Sequence, residues 1–142
     1  MIAIGCDHGG YELKKFLIGH LKEKGIECKD YGCDSTESCD YPEYGRAVAK
    51  AVSSGECEKG IVICSTGIGI SIAANKVKGI RAALCTNSLM ARLTREHNDA
   101  NVLALGAYIV GPQLAADIAD TFLSTDFSQG ERHVRRIGKI EE

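Results

Sequence analysis

Cys64-Ser65-Thr66-Gly67-Ile68-Gly69-Ile70-Ser71 directly follows the apolar run Gly60-Ile61-Val62-Ile63 and opens a stretch of helical character. A short apolar strand, a glycine-bearing turn and a helix form the repeating unit of a parallel α/β sheet. The turn also gathers chemistry, with a thiol and hydroxyls beside two glycines. Backbone N–H groups at a helix start lack helical partners, and the helix dipole favours negative charge there. The same field is expected to lower the pKa of a nearby cysteine and make more of it thiolate. One turn thus offers a base or nucleophile next to an anion cradle.

The pattern repeats on both sides of this unit. Ile2 to Cys6 reads as a first strand, and Gly10 to about Lys24 as a helix with Leu13, Phe16, Leu17 and Leu21 on its buried face. Gly25 is suited to stop that helix. Ile26 to Tyr31 is a more polar strand, fit for a sheet edge. An irregular stretch, Gly32 to Tyr41, leads to Pro42 in the first turn of a helix whose apolar side holds Tyr44, Val48 and Val52. The helix after Cys64 is expected to run to about Lys76. Ile80 to Cys85 is a fourth strand, Ser88 to Glu96 a helix and Val102 to Leu105 a fifth strand. Pro112 to Leu123 is amphipathic, with Leu114, Ala115, Ile118, Ala119, Phe122 and Leu123 as its buried stripe. From about Ser128 a basic helix or tail carries Arg132, His133, Arg135, Arg136 and Lys139. With no internal repeat or linker, residues 1–142 read as one three-layer α/β/α domain around a five-stranded parallel sheet.

The chain has 142 residues, 44% hydrophobic and 25% charged, with a formal net charge of -2. That balance gives no global attraction to nucleic acid or to a membrane surface, and no apolar run reaches the length of a membrane span. Met1-Ile2-Ala3-Ile4-Gly5 enters a strand directly, without the charged start or cleavage site of a signal peptide. The seven cysteines include no Cys-x-x-Cys pair. A zinc knuckle is therefore not expected, and the cysteines read as reduced thiols of a cytoplasmic protein. Cys28, Cys33 and Cys39 come nearest to a cluster, while Cys6 and Cys85 read as small core hydrophobes.

Ligands of open α/β sheets bind outside the carboxyl ends of the strands. That rule selects Asp7-His8-Gly9-Gly10, the loop ending at Asp40-Tyr41-Pro42, and the Cys64 to Ser71 turn. Each residue also has a structural reading. Asp7 can cap a helix, His8 can be an exposed loop residue, Tyr41 can staple the following helix, and Cys64 can be a buried strand-end thiol. Their convergence on one edge favours chemistry. Gly67-x-Gly69 is neither the dinucleotide fingerprint nor a Walker A loop, which leaves a generic anion-binding turn. His97-Asn98-Asp99 lies between the fourth helix and the fifth strand, at the opposite edge from Cys64. His97 is there either for structure or to serve a neighbouring subunit's site. Arg132 and Arg136 stand four apart and would share a helix face, a spacing suited to phosphate or to solvent.

Asp7-His8-Gly9, Asp40-Tyr41-Pro42, the run Cys64 to Lys76, Gly79-Ile80-Arg81-Ala82 and His97-Asn98-Asp99-Ala100-Asn101-Val102-Leu103 together resemble type B ribose-5-phosphate isomerases. The wider group includes the galactose and allose 6-phosphate isomerases. The resemblance spans nearly the whole chain. It implies a Rossmann-like fold, a homodimer or tetramer with a site shared between subunits, and aldose-ketose isomerisation in the pentose phosphate pathway, with no cofactor and no metal. Carried over, it makes Cys64 the base that moves a proton between C2 and C1. Thr66 and the amides of Gly67, Ile68 and Gly69, beside Ser65, would hold the enediolate. His97 would open the furanose ring, Asp7 would bind sugar hydroxyls, and Asn98 and Tyr41 would line the site. His8, Arg132 and Arg136 would hold the phosphate. Ser65 stands where some members have glycine, and Tyr108 where several have a phosphate-binding arginine, which shifts that load to Arg132 and Arg136.

Three other readings compete with this one. A hexose-6-phosphate isomerase differs in pocket depth, and a flavodoxin-like binding module for a phosphorylated cofactor would share the fold. The cysteine count alone suggests a thiol redox or metal protein.

Overall fold

The computed structural model describes residues 1–142. Five strands, β1 (Ile2–Cys6), β2 (Cys28–Asp30), β3 (Lys59–Cys64), β4 (Ala82–Leu84) and β5 (Val102–Gly106), form one sheet in the order β2-β1-β3-β5-β4. Every pairing is parallel. Six helices connect or flank them: α1 (Tyr11–Glu23), α2 (Tyr41–Ser53), α3 (Ile68–Asn75), α4 (Ser88–Asn98), α5 (Pro112–Ser124) and α6 (Glu131–Ile140). A single 3-10 turn, His8–Gly10, precedes α1. The basic tail is therefore a helix. No helix is long and apolar enough to cross a membrane.

Strand side chains alternate between two apolar layers, the period-two consequence of a pleated sheet covered on both faces. Ile2, Ile4, Cys6, Ile61, Ile63, Leu103 and Leu105 pack with Leu13, Leu17 and Leu21 of α1 and with Ala115, Ile118 and Phe122 of α5. Ala3, Val62, Cys64, Val102 and Ala104 face α2 and α3 through Val48, Val52, Ile70 and Ala74. Full burial of each large side chain contributes roughly 1.5–3 kcal/mol. The chain leaves β1 toward one side of the sheet and reaches β5 and β4 on the other. The switch point lies between β1 and β3, so the Asp7 loop and the Cys64 turn sit side by side.

Four expectations change, beginning with β2, which covers only Cys28–Asp30 of the stretch Ile26 to Tyr31. Phe16 is exposed and stacks on His20, while Lys14 occupies the buried sector of α1. Lys14 is 0% exposed, and its Nζ donates to Asp30 Oδ1 at 2.7 Å and to the Cys33 carbonyl at 2.5 Å. Desolvating an ammonium costs several kcal/mol, which these two bonds offset. Leu114 projects to solvent because α5 turns Ala115, Ala116 and Ala119 inward instead. Strand β4 is shorter than expected, and Asn side chains take up main-chain groups at its start. Arg81 donates its N–H to Asn101 Oδ1, and Ala82 exchanges both main-chain bonds with the carboxamide of Asn75.

Helix propensity and packing make opposite demands at two helical glycines. A Cβ at Gly45 in α2 would lie 2.9 Å from Ile70 Cγ1 and 3.1 Å from the Ile70 carbonyl oxygen, whereas one at Gly19 in α1 would meet nothing within 4 Å. Gly19→Ala is therefore expected to raise stability by about 0.5–1 kcal/mol, the propensity gain alone. Gly45→Ala should lower it by about 1–3 kcal/mol, because α3 must move away. Urea midpoints of the two variants check this, and equal shifts of one sign would refute it.

Candidate active site

The turn after β3 is shaped by Gly67, whose φ of 80° lies in the left-handed region. A Cβ there would also come within 2.6 Å of Leu84 Cδ1 and 2.8 Å of the Leu105 carbonyl carbon. Glycine is needed on both counts. The turn aims the Gly67 N–H at Cys64 Sγ, 3.1 Å away. Thr66 Oγ1 accepts from Ile68 N–H at 3.2 Å. The amides of Ser65, Thr66, Gly69 and Ile70 make no bond within the chain. Cys64 is 5% exposed, so its sulfur sits at the floor of this ring of donors.

The neighbouring loops close around the turn. Asp7, at the carboxyl end of β1, accepts from Gly9 N–H at 2.9 Å through Oδ1, so it does cap the 3-10 turn while lying beside Cys64's loop. Gly9 faces Ser65 Oγ with no room for a Cβ, which joins the two loops directly. His8 Nδ1 accepts from the Cys39 N–H at 3.2 Å, so the neutral ring carries its proton on Nε2 and can donate. Tyr41 lies across Gly69, where a Cβ would come within 2.7 Å of its ring. Asp7, His8, Tyr41, Ser65, Thr66, Gly67, Ile68 and Gly69 therefore meet Cys64 at one edge. Tyr108 joins them through its N–H, which donates to the Ser65 carbonyl at 2.9 Å, and its side chain is 77% exposed at the rim.

His97, Asn98, Arg132 and Arg136 lie elsewhere. Asn98 and Asp99 end α4 beside Arg81, which precedes β4 and donates to both of their carbonyls at 2.9 Å. That is the amino edge of the sheet. Gly106, not Val102, is the residue of β5 opposite Cys64, and the strand between them spans roughly 13 Å. His97 and Asn98 line a shallow groove with Leu84, Met90 and Leu93, beside the outer strand β4. α6 packs on α4 there, and its Arg132 and Arg136 are exposed and form no ion pair. His97 stacks on His133, which the sequence marked only as part of a basic tail.

All seven cysteines are free. Cys28 stands opposite Ile2 at the start of the sheet, whereas Cys33 lies beside Cys6 at its far end, Sγ to Sγ 3.9 Å. Cys28 thus lies apart from Cys33, and no group of three His, Cys, Asp or Glu is arranged to hold a metal ion. Burial pushes the Cys6 thiol up to about 12 and those of Cys28 and Cys85 up to about 11. Burial also raises Cys39. Thiols held so high are poor nucleophiles and bases. Only Cys64 receives a main-chain N–H on its sulfur.

Residues 2–140 match the family model described as Ribose/Galactose Isomerase. The chain is 50% identical over 139 residues to the ribose-5-phosphate isomerase B of Escherichia coli K12, covering 98% of this chain and 93% of that protein. Its fold superposes on the ribose-5-phosphate isomerase B of Clostridium thermocellum with a TM-score of 0.97 at 61% identity, covering 99% of this chain and 94% of the other. For the Thermotoga maritima ribose 5-phosphate isomerase the TM-score is 0.96 at 52% identity, with coverage of 99% and 96%.

His133 gives the amino-edge group a pH dependence. Burial, then Arg132, His97 and Arg136, hold its pKa below the ordinary imidazole value. A folded-state pKa below the unfolded one means that the neutral ring stabilises the fold above about pH 6.5, and that this is lost as pH falls through the folded value. Amide exchange in α6, corrected for intrinsic rates, should lose protection relative to β5 between pH 7.5 and 5.5, ~2 units spanning that value. Unchanged relative protection would contradict the assignment.

Proposed function

The chain belongs to the ribose/galactose isomerase family, and on that footing we propose that it interconverts ribose 5-phosphate and ribulose 5-phosphate through an enediolate, without metal or organic cofactor. The observation that carries this reading is the Gly67 N–H on Cys64 Sγ at 3.1 Å, with unpartnered amides around it at the switch point of the sheet. A thiolate there can take the C2 proton of the open-chain aldehyde. The electron pair moves onto O1, where preorganised amides and Thr66 stabilise the charge as it forms. Return of the proton from sulfur to C1, with the O2 proton passing to O1, completes the ketose.

The remaining residues take supporting roles in the same reading. Asp7 orients sugar hydroxyls, while Ser65, Ile68, Tyr41 and Asn98 line the site. His97 moves protons between O1 and O4 as the C1–O4 bond of the furanose breaks. His8, donating through Nε2, joins Arg132 and Arg136 on the phosphate, and that remote grip orients C1 and C2. Because the carboxyl-edge and amino-edge groups lie far apart in one chain, each site combines the carboxyl edge of one subunit with the amino edge of another, in a homodimer or tetramer. Exposed Ile68 and Ile72 on α3 and Leu89 on α4 supply apolar surface for that contact. Seven unpaired thiols are in keeping with a cytoplasmic enzyme of the pentose phosphate pathway.

Cys64→Ala should cut kcat by about 10³-fold or more while the affinity for sugar phosphate, by calorimetry, stays within a few-fold. Near-normal turnover would remove Cys64 from the reaction. Mixing Cys64→Ala with His97→Ala subunits should restore part of the activity through hybrid dimers. No restoration, with subunit exchange demonstrated, would refute a shared site. A kcat/KM for allose or galactose 6-phosphate above that for ribose 5-phosphate would move the substrate to the hexoses.

A further inference from the structure

His133 is the one buried side chain of α6, and nothing in the reaction above uses it. Its ring lies flat against His97, with centroids 4.4 Å apart and planes inclined by 14°. Backbone fixes it from the other direction. Gly130 leaves no space there, since a Cβ would stand 2.9 Å from His133 Cδ2, and His133 N–H donates to the Gly130 carbonyl at 3.0 Å. The approach to α6 is tied to α4 next to His97. Ser128 Oγ donates to the Glu96 carbonyl at 2.6 Å, and Arg95 Nε donates to the Thr125 carbonyl at 2.9 Å.

We infer, resting on the assignment of His97 to ring opening, that His133 is a positioning residue whose stack fixes the plane in which His97 presents its nitrogens to the furanose oxygen. An imidazole on the last turn of a helix, half exposed, would otherwise turn freely about its side-chain bonds. Proton transfer needs the nitrogen within about 2.6–3.2 Å of the oxygen, so each lost rotation raises the productive fraction. The stack must also tolerate a proton on His97. The charged or titratable groups around His133 are Arg132 and Arg136 on its own helix and His97 on α4, and with burial they favour its neutral form. A neutral aromatic face attracts an imidazolium, whereas a second imidazolium would repel it.

Ribulose 5-phosphate has its O5 esterified and cannot close a furanose, so it separates ring opening from proton transfer. Wash-in of deuterium from D2O at its C1 reports the Cys64 step alone. For His133→Ala, the ratio of ribose 5-phosphate turnover to C1 wash-in should fall at least about tenfold, and for His133→Phe, which keeps a flat ring, by less than about threefold. Gly130→Ala, which displaces the ring without removing it, should fall between them. Equal losses in both assays, or an unchanged ratio in His133→Ala and Gly130→Ala, would overturn the role of His133. His97→Ala is the reference. If it lowers the ratio and His133→Ala does not, only the positioning role fails. If His97→Ala leaves the ratio unchanged, the assignment of His97 fails and the role of His133 fails with it.

Discussion

Two backbones touch where β3 ends. A Cβ at Gly67 would meet Gly106 N at 2.9 Å, and one at Gly106 would collide with the Thr66 carbonyl. Only a pair of glycines lets the turn lie this close to the end of β5. Ala107 and Tyr108 then donate to the carbonyls of Cys64 and Ser65 at 2.9 Å each. With those carbonyls engaged on the β5 side, the turn's amides are left facing the cleft. The same contact sets where α3 starts, and so where Gly69 meets Tyr41. The thiol, the donors above it and the aromatic wall all follow from one close approach.

Much of this was legible in the residues. Apolar runs marked β1, β3 and β5, because strands buried on both faces must be continuously apolar. The edge rule then collected Asp7, His8, Tyr41 and Cys64 without any distance. What periodicity could not show is which sector of a helix faces the sheet and which faces a neighbouring loop. Phe16 and Lys14 exchange places for that reason: Lys14 points to Asp30 and the Cys33 carbonyl, partners more than a dozen residues away. The amide of Cys39 on His8 and the His97–His133 stack are likewise contacts between distant segments, with no local signal. Spacing did place His97 on the wrong edge for Cys64, and the fold keeps it there.

The groups at the two edges have different kinds of support. At the carboxyl edge the chain itself is rigid, held by ladder bonds and glycine contacts. At the amino edge the groups sit on two helix termini, α4 and α6, joined by Ser128, Thr125 and the imidazole stack. The bonds to the Glu96 and Thr125 carbonyls are modest, on the order of 1 kcal/mol each. The histidine pair therefore has a structural share in holding α6 against α4.

The sheet also has two finished borders. On β2 the exposed residues are charged, Lys29 pairing with Glu56 and Asp30 with Lys14. On β4 the carboxamide of Asn75 occupies both main-chain groups of Ala82, standing in for one residue of a further strand. Unpaired strand edges are templates on which foreign chains can grow. Here one border carries charged side chains, and on the other a side chain occupies the main-chain groups of one residue. Contacts between copies through helices and side chains are therefore favoured over lengthening of the sheet. A crowded solution of folded chains thus has little means of nucleating an amyloid-like fibre.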